Sequence, residues 1–222
     1  MNVAIIDRHL NSTNNTSNLC MAPQPTVFTN IYRNNINIAV WQRDLSSELT
    51  HEIETFLSDN PTFRKSISLS PETVREELDL ATQRKLPKAL VENIAQLVDM
   101  FCCLFDLKEV GLRLTALNNA MCPRFHVDHI PCRLVTTFHG TASQWLPNDK
   151  VDRTKLGHGN NGLPDETSGL YKQHSDIEQL STGDVALFKG EAWAGNENLG
   201  IVHRSPATLP NEIRLLMTLD FC

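Results

Sequence analysis

Apolar and polar positions divide this chain into a helical first half and a stranded second half. Asn37 to Trp41 alternates in the manner of a first strand. From Ser46 or Ser47 to about Leu57, Leu49, Ile53, Phe56 and Leu57 fall on one helical stripe behind a capping serine. Asp59-Asn60-Pro61 stops that helix. Ser70-Pro71-Glu72 predicts a second helix, running to about Thr82, because it offers a cap, a proline for the first helical position and an acid for the first turn. A third helix opens at Pro87, where Leu90, Ile94, Leu97, Val98, Phe101 and Phe105 recur at the spacing of a buried face.

Past Lys108 the period shortens to that of strands. Val110 to Leu117 alternates, and Phe125 to Phe138 is a long strand-like run interrupted at Pro131. Gly140 to Leu146 follows. Ser181-Thr182-Gly183-Asp184 is a turn before the short apolar run Val185 to Phe188. Ile201 to His203 and Ile213 to Phe221 are the last two expected strands. Residues 147–176 are polar, carry five Gly or Pro residues between Gly157 and Gly169, and show no apolar rhythm. Such a length without periodicity predicts a functional lid or a mobile loop. Residues 1–34, rich in Asn, Ser and Thr with Pro23-Gln24-Pro25 near their end, are expected to form a flexible or loosely docked arm. The remainder, 35–222, reads as one domain, with a mainly helical layer over 35–108 and a stranded core over 109–222. Helices first and short strands afterwards give an α+β protein with a helical layer on a β-sandwich or barrel. No internal repeat, heptad, GxGxxG or P-loop interrupts this plan.

Composition narrows the function classes. A net charge of −6 disfavours a protein that holds nucleic acid through its phosphates. No apolar run approaches a membrane span. The first twenty residues lack the basic and apolar regions of a signal peptide, so the six cysteines are expected to be reduced thiols of a cytoplasmic protein.

The candidate chemistry lies in His126-Val127-Asp128, the distant His203, and Arg214 eleven residues beyond it. On a strand, residues two apart share a face, so His126 and Asp128 can close together on one metal ion. With His203 from a neighbouring strand they make the 2-His-1-carboxylate set that suits non-haem Fe(II) and leaves coordination positions open. Arg214 opens the final strand, and if it points inward so do Leu216 and Thr218. Its guanidinium then offers a two-pronged partner for a carboxylate.

Around this set the pattern predicts lesser roles. His129 and Arg133 fall on the opposite strand face from His126 unless Pro131 introduces a bulge. Arg204 is expected to point away from the metal. Trp145 and Trp193 are read as packing residues, His158 and His174 as solvated. Arg124 and His139 are read as exposed polar residues near the motif. Asn118 is placed to hydrogen-bond a co-substrate. Two other functions use the same residues. One is a Zn(II)-binding accessory protein in which Cys122, Cys132 and His129 join the ligands. The other is a non-oxidative cupin-like enzyme using a divalent ion as a Lewis acid.

The order of HVD at 126–128, GDVALFKG at 183–190, VHRSP at 202–206 and RLLMTLDF at 214–221 resembles the double-stranded β-helix (jelly-roll, cupin-like) of the Fe(II)/2-oxoglutarate-dependent oxygenases. That resemblance covers about residues 110–222. It implies that His126, Asp128 and His203 hold the iron, that Arg214 binds 2-oxoglutarate, and that the 147–176 loop shields the reaction. It implies hydroxylation or demethylation of a small molecule or a protein side chain. The stretches CPRFHVDHIPCRLVTTFHGTASQWLP, GDVALFKGE and GIVHRSP are similar to an uncharacterised bacterial family. Genes of that family often neighbour zinc-regulated GTPase metallochaperones, which implies such a partner and Zn(II) as the rival metal.

Overall fold

The computed structural model describes residues 18–222. Among these residues ten strands fall into two facing sheets. The larger contains β1 (Leu19–Ala22), β2 (Ile38–Trp41), β3 (Arg64–Leu69), β4 (Val110–Leu117), β5 (Cys132–His139), β8 (Val185–Lys189) and β10 (Arg214–Phe221), in the order β1-β2-β8-β5-β10-β4-β3. The smaller contains β6 (Gln144–Leu146), β7 (Glu178–Gln179) and β9 (Val202–Arg204), in the order β7-β6-β9. Beyond β9 the small sheet gains one more pairing, an antiparallel bridge in which the His126 and His203 amides each donate to the other's carbonyl at 3.0 Å.

From β4 onward the chain visits the sheets in a set sequence: large, small at His126, large at β5, small at β6 and β7, large at β8, small at β9, large at β10. Every pairing in this part is antiparallel. This is the winding of a double-stranded β-helix, so the protein is an α+β jelly roll. The sequence pattern explains it. Along β10, Leu215, Met217 and Leu219 join the core under the helices, while Arg214, Leu216 and Thr218 face the small sheet. β8 reads Val-Ala-Leu-Phe-Lys without alternation because both of its faces are buried.

The helical layer is α1 (Ser47–Asp59), α2 (Val74–Ala81) and α3 (Lys88–Phe105). The Ser46 hydroxyl accepts from the Leu49 amide at 3.2 Å and starts α1. The α3 stripe Leu90, Ile94, Leu97, Val98 and Phe101 is buried against the large sheet. Each such side chain contributes about 1.5–3 kcal/mol on leaving water.

Three expectations need correction. First, the part of the expected arm from residue 18 onward is docked. β1 pairs in parallel with β2, and the 3-10 turns over Pro25–Tyr32 bury Val27, Phe28 and Ile31; residues 1–17 lie outside the described residues. Second, the helical half also supplies strands to the sheet. β3 was not foreseen because Arg64, Lys65, Ser66 and Ser68 mask it, as suits an edge strand that must not pair further. Third, residues 147–176 are neither a lid nor structureless. They form short 3-10 turns, and Leu170, with Val151, Leu156 and Tyr171, packs on Phe125, Leu146 and Val202. None of them lines the cavity that holds the candidate ligands.

Candidate metal centre

His126, Asp128 and His203 converge, each offering one ligand atom within 4.8 Å of the others. His203 comes from β9 and His126 from the bridge beside it, with ring centroids 4.5 Å apart. His126 Nε2 lies 3.9 Å from Asp128 Oδ1, and His203 Nε2 lies 3.5 Å from Asp128 Oδ2. Both rings are oriented alike. His126 Nδ1 is 2.9 Å from the Arg124 carbonyl, and His203 Nδ1 is 3.1 Å from the Ile201 carbonyl. A carbonyl can only accept, so each Nδ1 carries the proton and each Nε2 presents a lone pair to the centre. Two imidazole nitrogens and one carboxylate on the same wall are a donor set that fits a divalent transition metal with positions left open.

The centre departs from the strand picture in one respect. Asp128 lies in the irregular connection between the His126 bridge and β5 rather than on a regular strand. What holds it is the chain after β8. The Glu191 amide donates to the Asp128 carbonyl at 2.9 Å, and the Gly190 amide donates to the Pro131 carbonyl at 2.9 Å. A Cβ at Gly190 would stand 2.7 Å from the Asp128 carbonyl oxygen, so this close approach requires glycine.

Arg133 also departs from expectation, and for the same reason. It lines the cavity, and its Nη1 donates to Asp128 Oδ2 at 2.9 Å, while Nε and Nη2 clamp Asp220 at 2.6 and 2.9 Å. Parity counted from His126 fails because the irregular connection at 128–131 breaks the strand. Arg133 fixes Asp128 from behind, in the manner of groups that orient metal ligands. Arg133→Ala is expected to weaken metal affinity about 10–100-fold with the fold retained. A chelator competition beside a thermal melt checks both halves.

Burial pushes the His203 imidazole down to about 4, with Asp128 opposing the shift and His126 adding to it. His203 is therefore neutral at pH 7 and ready to ligate without releasing a proton. In the metal-free protein this has a stability consequence. As pH falls below about 6.5 an unfolded His203 takes up a proton that the folded one refuses. Stability is thus full above that pH and is lost as pH falls toward 4. The expected loss is on the order of 2–3 kcal/mol, and His203→Gln should flatten it in denaturant unfolding between pH 7 and pH 4.

The cavity around the three donors measures about 320 Å³ and lies between the sheets. Thr115, Leu216 and Thr218 supply its large-sheet wall, and Ser143, Ser205 and Arg204 line it from the other side. Arg214 is fully buried behind Ser205. Its Nε donates to the Thr141 carbonyl and its Nη1 to Ser205 Oγ at 3.2 Å, but Nη2 has no partner. Burial lowers its pKa to about 10, offset in part by Glu212, so it stays a cation. The buried hydroxyls of Thr137 and Thr218 are also unpartnered. A buried guanidinium nitrogen left without a protein partner can be met by water or by a polar ligand.

Trp145 is packed in the core between the sheets and Trp193 packs on Phe105, as expected of packing residues. Asn118 does not line the cavity; its carbonyl accepts from Thr208. His139 bonds the Ile213 carbonyl. Arg204 does not point simply outward: it packs over Phe125, pairs with Asp165 and Glu166, and still borders the cavity. The enlarged zinc set is not assembled. Cys132 is buried in the core under the helices, His129 is turned to Glu191 at 3.1 Å, and Cys122 borders the cavity outside the convergent group. Ser143, Ser205, Thr115 and Arg113 were not foreseen. Period-2 counting back from Leu117 would have placed Thr115 and Arg113 beside Arg214's neighbours on β10.

The winding and the three convergent donors define a double-stranded β-helix protein with a candidate metal centre. Residues 22–220 match the family described as "Protein of unknown function (DUF1826)", and the chain belongs to that family. No curated protein matches it. Among solved structures the chain is similar to the dioxygenase for auxin oxidation in rice (10% identity, 83% of this chain and 73% of that one, TM-score 0.46). It is similar to the non-heme alpha ketoglutarate dependent carbocyclase SnoK from nogalamycin biosynthesis (12% identity, 88% and 82%, TM-score 0.45). It is also similar to HygX from Streptomyces hygroscopicus with iron bound (11% identity, 82% and 80%, TM-score 0.46). Among the described residues no helix is long and apolar enough to cross a membrane.

Proposed function

We propose that this protein is an Fe(II)/2-oxoglutarate-dependent oxygenase. The observation that carries the reading is that two features adjoin one cavity. His126 Nε2, His203 Nε2 and Asp128 converge at its wall, and the buried, incompletely partnered Arg214 stands behind Ser205 at its end. Iron and 2-oxoglutarate bound together supply dioxygen activation coupled to decarboxylation of the oxo acid.

The chain's own contribution is binding and orientation. His126 and His203 hold their lone pairs inward because the Arg124 and Ile201 carbonyls fix the tautomer. Arg133 occupies Asp128 Oδ2, leaving Oδ1 on the His126 side as the freer acceptor. Arg214 Nη2 and the Ser205 hydroxyl form a cationic end for the far carboxylate of 2-oxoglutarate. Leu216 and Val135 keep the intervening wall apolar, which strengthens charge contacts and excludes water. The substrate that is oxidised is a small molecule or a protein side chain.

The test is an anaerobic titration of metal-free protein with Fe(II) and then 2-oxoglutarate, followed by visible absorption. A weak charge-transfer band is expected only with both present, and it should not form with Zn(II). Iron binding without the band would overturn the oxygenase reading and favour a metal-handling or Lewis-acid protein.

A further inference from the structure

Two arginines flank the cavity at different points along β10. Arg214 lies behind Ser205, just outside the lining. The register places the other: Arg214 pairs with Leu117, whereas Thr218 pairs with Arg113 on β4 and Val135 on β5. Arg113 therefore stands four residues farther along β10, roughly 13 Å from the Arg214 position at about 3.3 Å per residue. Next along the same face, Asp220 pairs with Arg133. Arg133 is committed to Asp220 and Asp128. Arg204, the third guanidinium of the lining, is committed to Gln144, Asp165 and Glu166. Arg113 lines the cavity, is exposed at its mouth, and has no hydrogen bond or ion pair among the described residues.

Of the three arginines in the lining, Arg133 and Arg204 are neutralised by their carboxylate partners, and Arg113 alone keeps an unpaired charge among the described residues. A lone cation at the mouth of a cavity in a chain of net charge −6 attracts anions locally. Between the two ends Met121, Val135 and Leu216 give an apolar strip. The volume of about 320 Å³ is at the small end of ligand sites, which run to roughly 1,000 Å³.

We propose that Arg113 binds an anionic group, a carboxylate or a phosphate, on a small aliphatic prime substrate, whose carbon chain then lies beside Met121 at the mouth, clear of the Val135 and Leu216 wall that the co-substrate covers. The inference rests on the oxygenase reading, because it takes the Arg214 end as occupied by the co-substrate. A guanidinium with all its donors unspent matches either anion in a two-pronged geometry. It makes Arg113 a specificity residue, distinct from the groups that hold metal and co-substrate.

The experiment is calorimetric titration of the anaerobic Fe(II)–2-oxoglutarate protein with hexanoate, hexyl phosphate and, as neutral control, hexanol, at fixed ionic strength. Saturable binding of at least one anion is expected, with hexanol silent. Arg113→Gln should weaken that binding roughly tenfold or more, and Arg113→Lys, which keeps the charge but not the fork, should restore only part of it. The 2-oxoglutarate titration of Arg113→Gln should match wild type. Whichever anion binds more tightly assigns the group. Binding unchanged in Arg113→Gln would overturn the proposal, since a probe that merely ligates the metal behaves so. Equal binding of hexanol, or no saturable anion binding, would overturn it too. The same titration with metal alone separates the two readings. A missing charge-transfer band in wild type counts against the oxygenase, while Arg113-dependent probe binding without 2-oxoglutarate still supports the anion site.

Discussion

Replacing His126 with alanine is expected to abolish the metal centre while leaving the fold intact. The residue is the best of the three donors to test because its side chain is about one-third exposed and its backbone, not its ring, makes the bridge to His203. Loss of its ring should weaken metal affinity by more than the roughly 10–100-fold that follows from disturbing a supporting residue. The charge-transfer band with 2-oxoglutarate should vanish. His203→Ala is a poorer test, since that ring is buried and packs 4.8 Å from Phe188, so its removal also leaves a hole. Chelator competition with a thermal melt decides the matter. Metal affinity within a few-fold of wild type in a folded His126→Ala protein would place the metal elsewhere.

The chemistry was more legible than the architecture around it. The residue types and order of His126, Asp128, His203 and Arg214 suggested a single site; the first three converge, while Arg214 touches the cavity's lining only through Ser205. Regular strands carried the inference where they exist. Arg214, Leu216 and Thr218 do share a face, because β10 is unbroken from 214 to 221. Period two does not hold across 126–133, where the chain leaves the strand geometry after His126, and so Arg133 faces the cavity instead of the opposite side. Long-range pairing was the other blind spot. β1 gains its stability from a parallel neighbour across a 3-10 segment, and β3 from β4 some forty residues later, so neither shows in a local window. In residues 147–176 the order comes from side-chain contacts to backbone: Asp165 accepts from the Phe125 amide at 2.7 Å, and Asp176 from the Lys172 and Gln173 amides. Bonds of this kind leave no periodic trace in a sequence.

Arg214→Met is expected to separate function from stability. In the folded protein Arg214 is fully buried with Nη2 unpartnered, and burial has already drawn its pKa down to about 10. A buried cation held this way is costly, and an apolar side chain of similar length can match or exceed its net stability. The partners it would abandon are few. Glu212 keeps its bonds to Thr141 and to the Leu209 amide, and only the Thr141 carbonyl and Ser205 hydroxyl lose a donor. Unfolding free energy should therefore stay within about 1 kcal/mol of wild type. Co-substrate binding should behave otherwise. Losing a desolvated charge-assisted contact costs about 2–5 kcal/mol, so 2-oxoglutarate affinity should fall at least about 30-fold with metal affinity unchanged. Titration of the Fe(II) protein, read at the charge-transfer band, measures the first, and a denaturant melt measures the second. Unchanged 2-oxoglutarate affinity would make Arg214 a structural cation and move the co-substrate carboxylate to Arg113, Arg133 or Arg204, the guanidiniums that line the cavity.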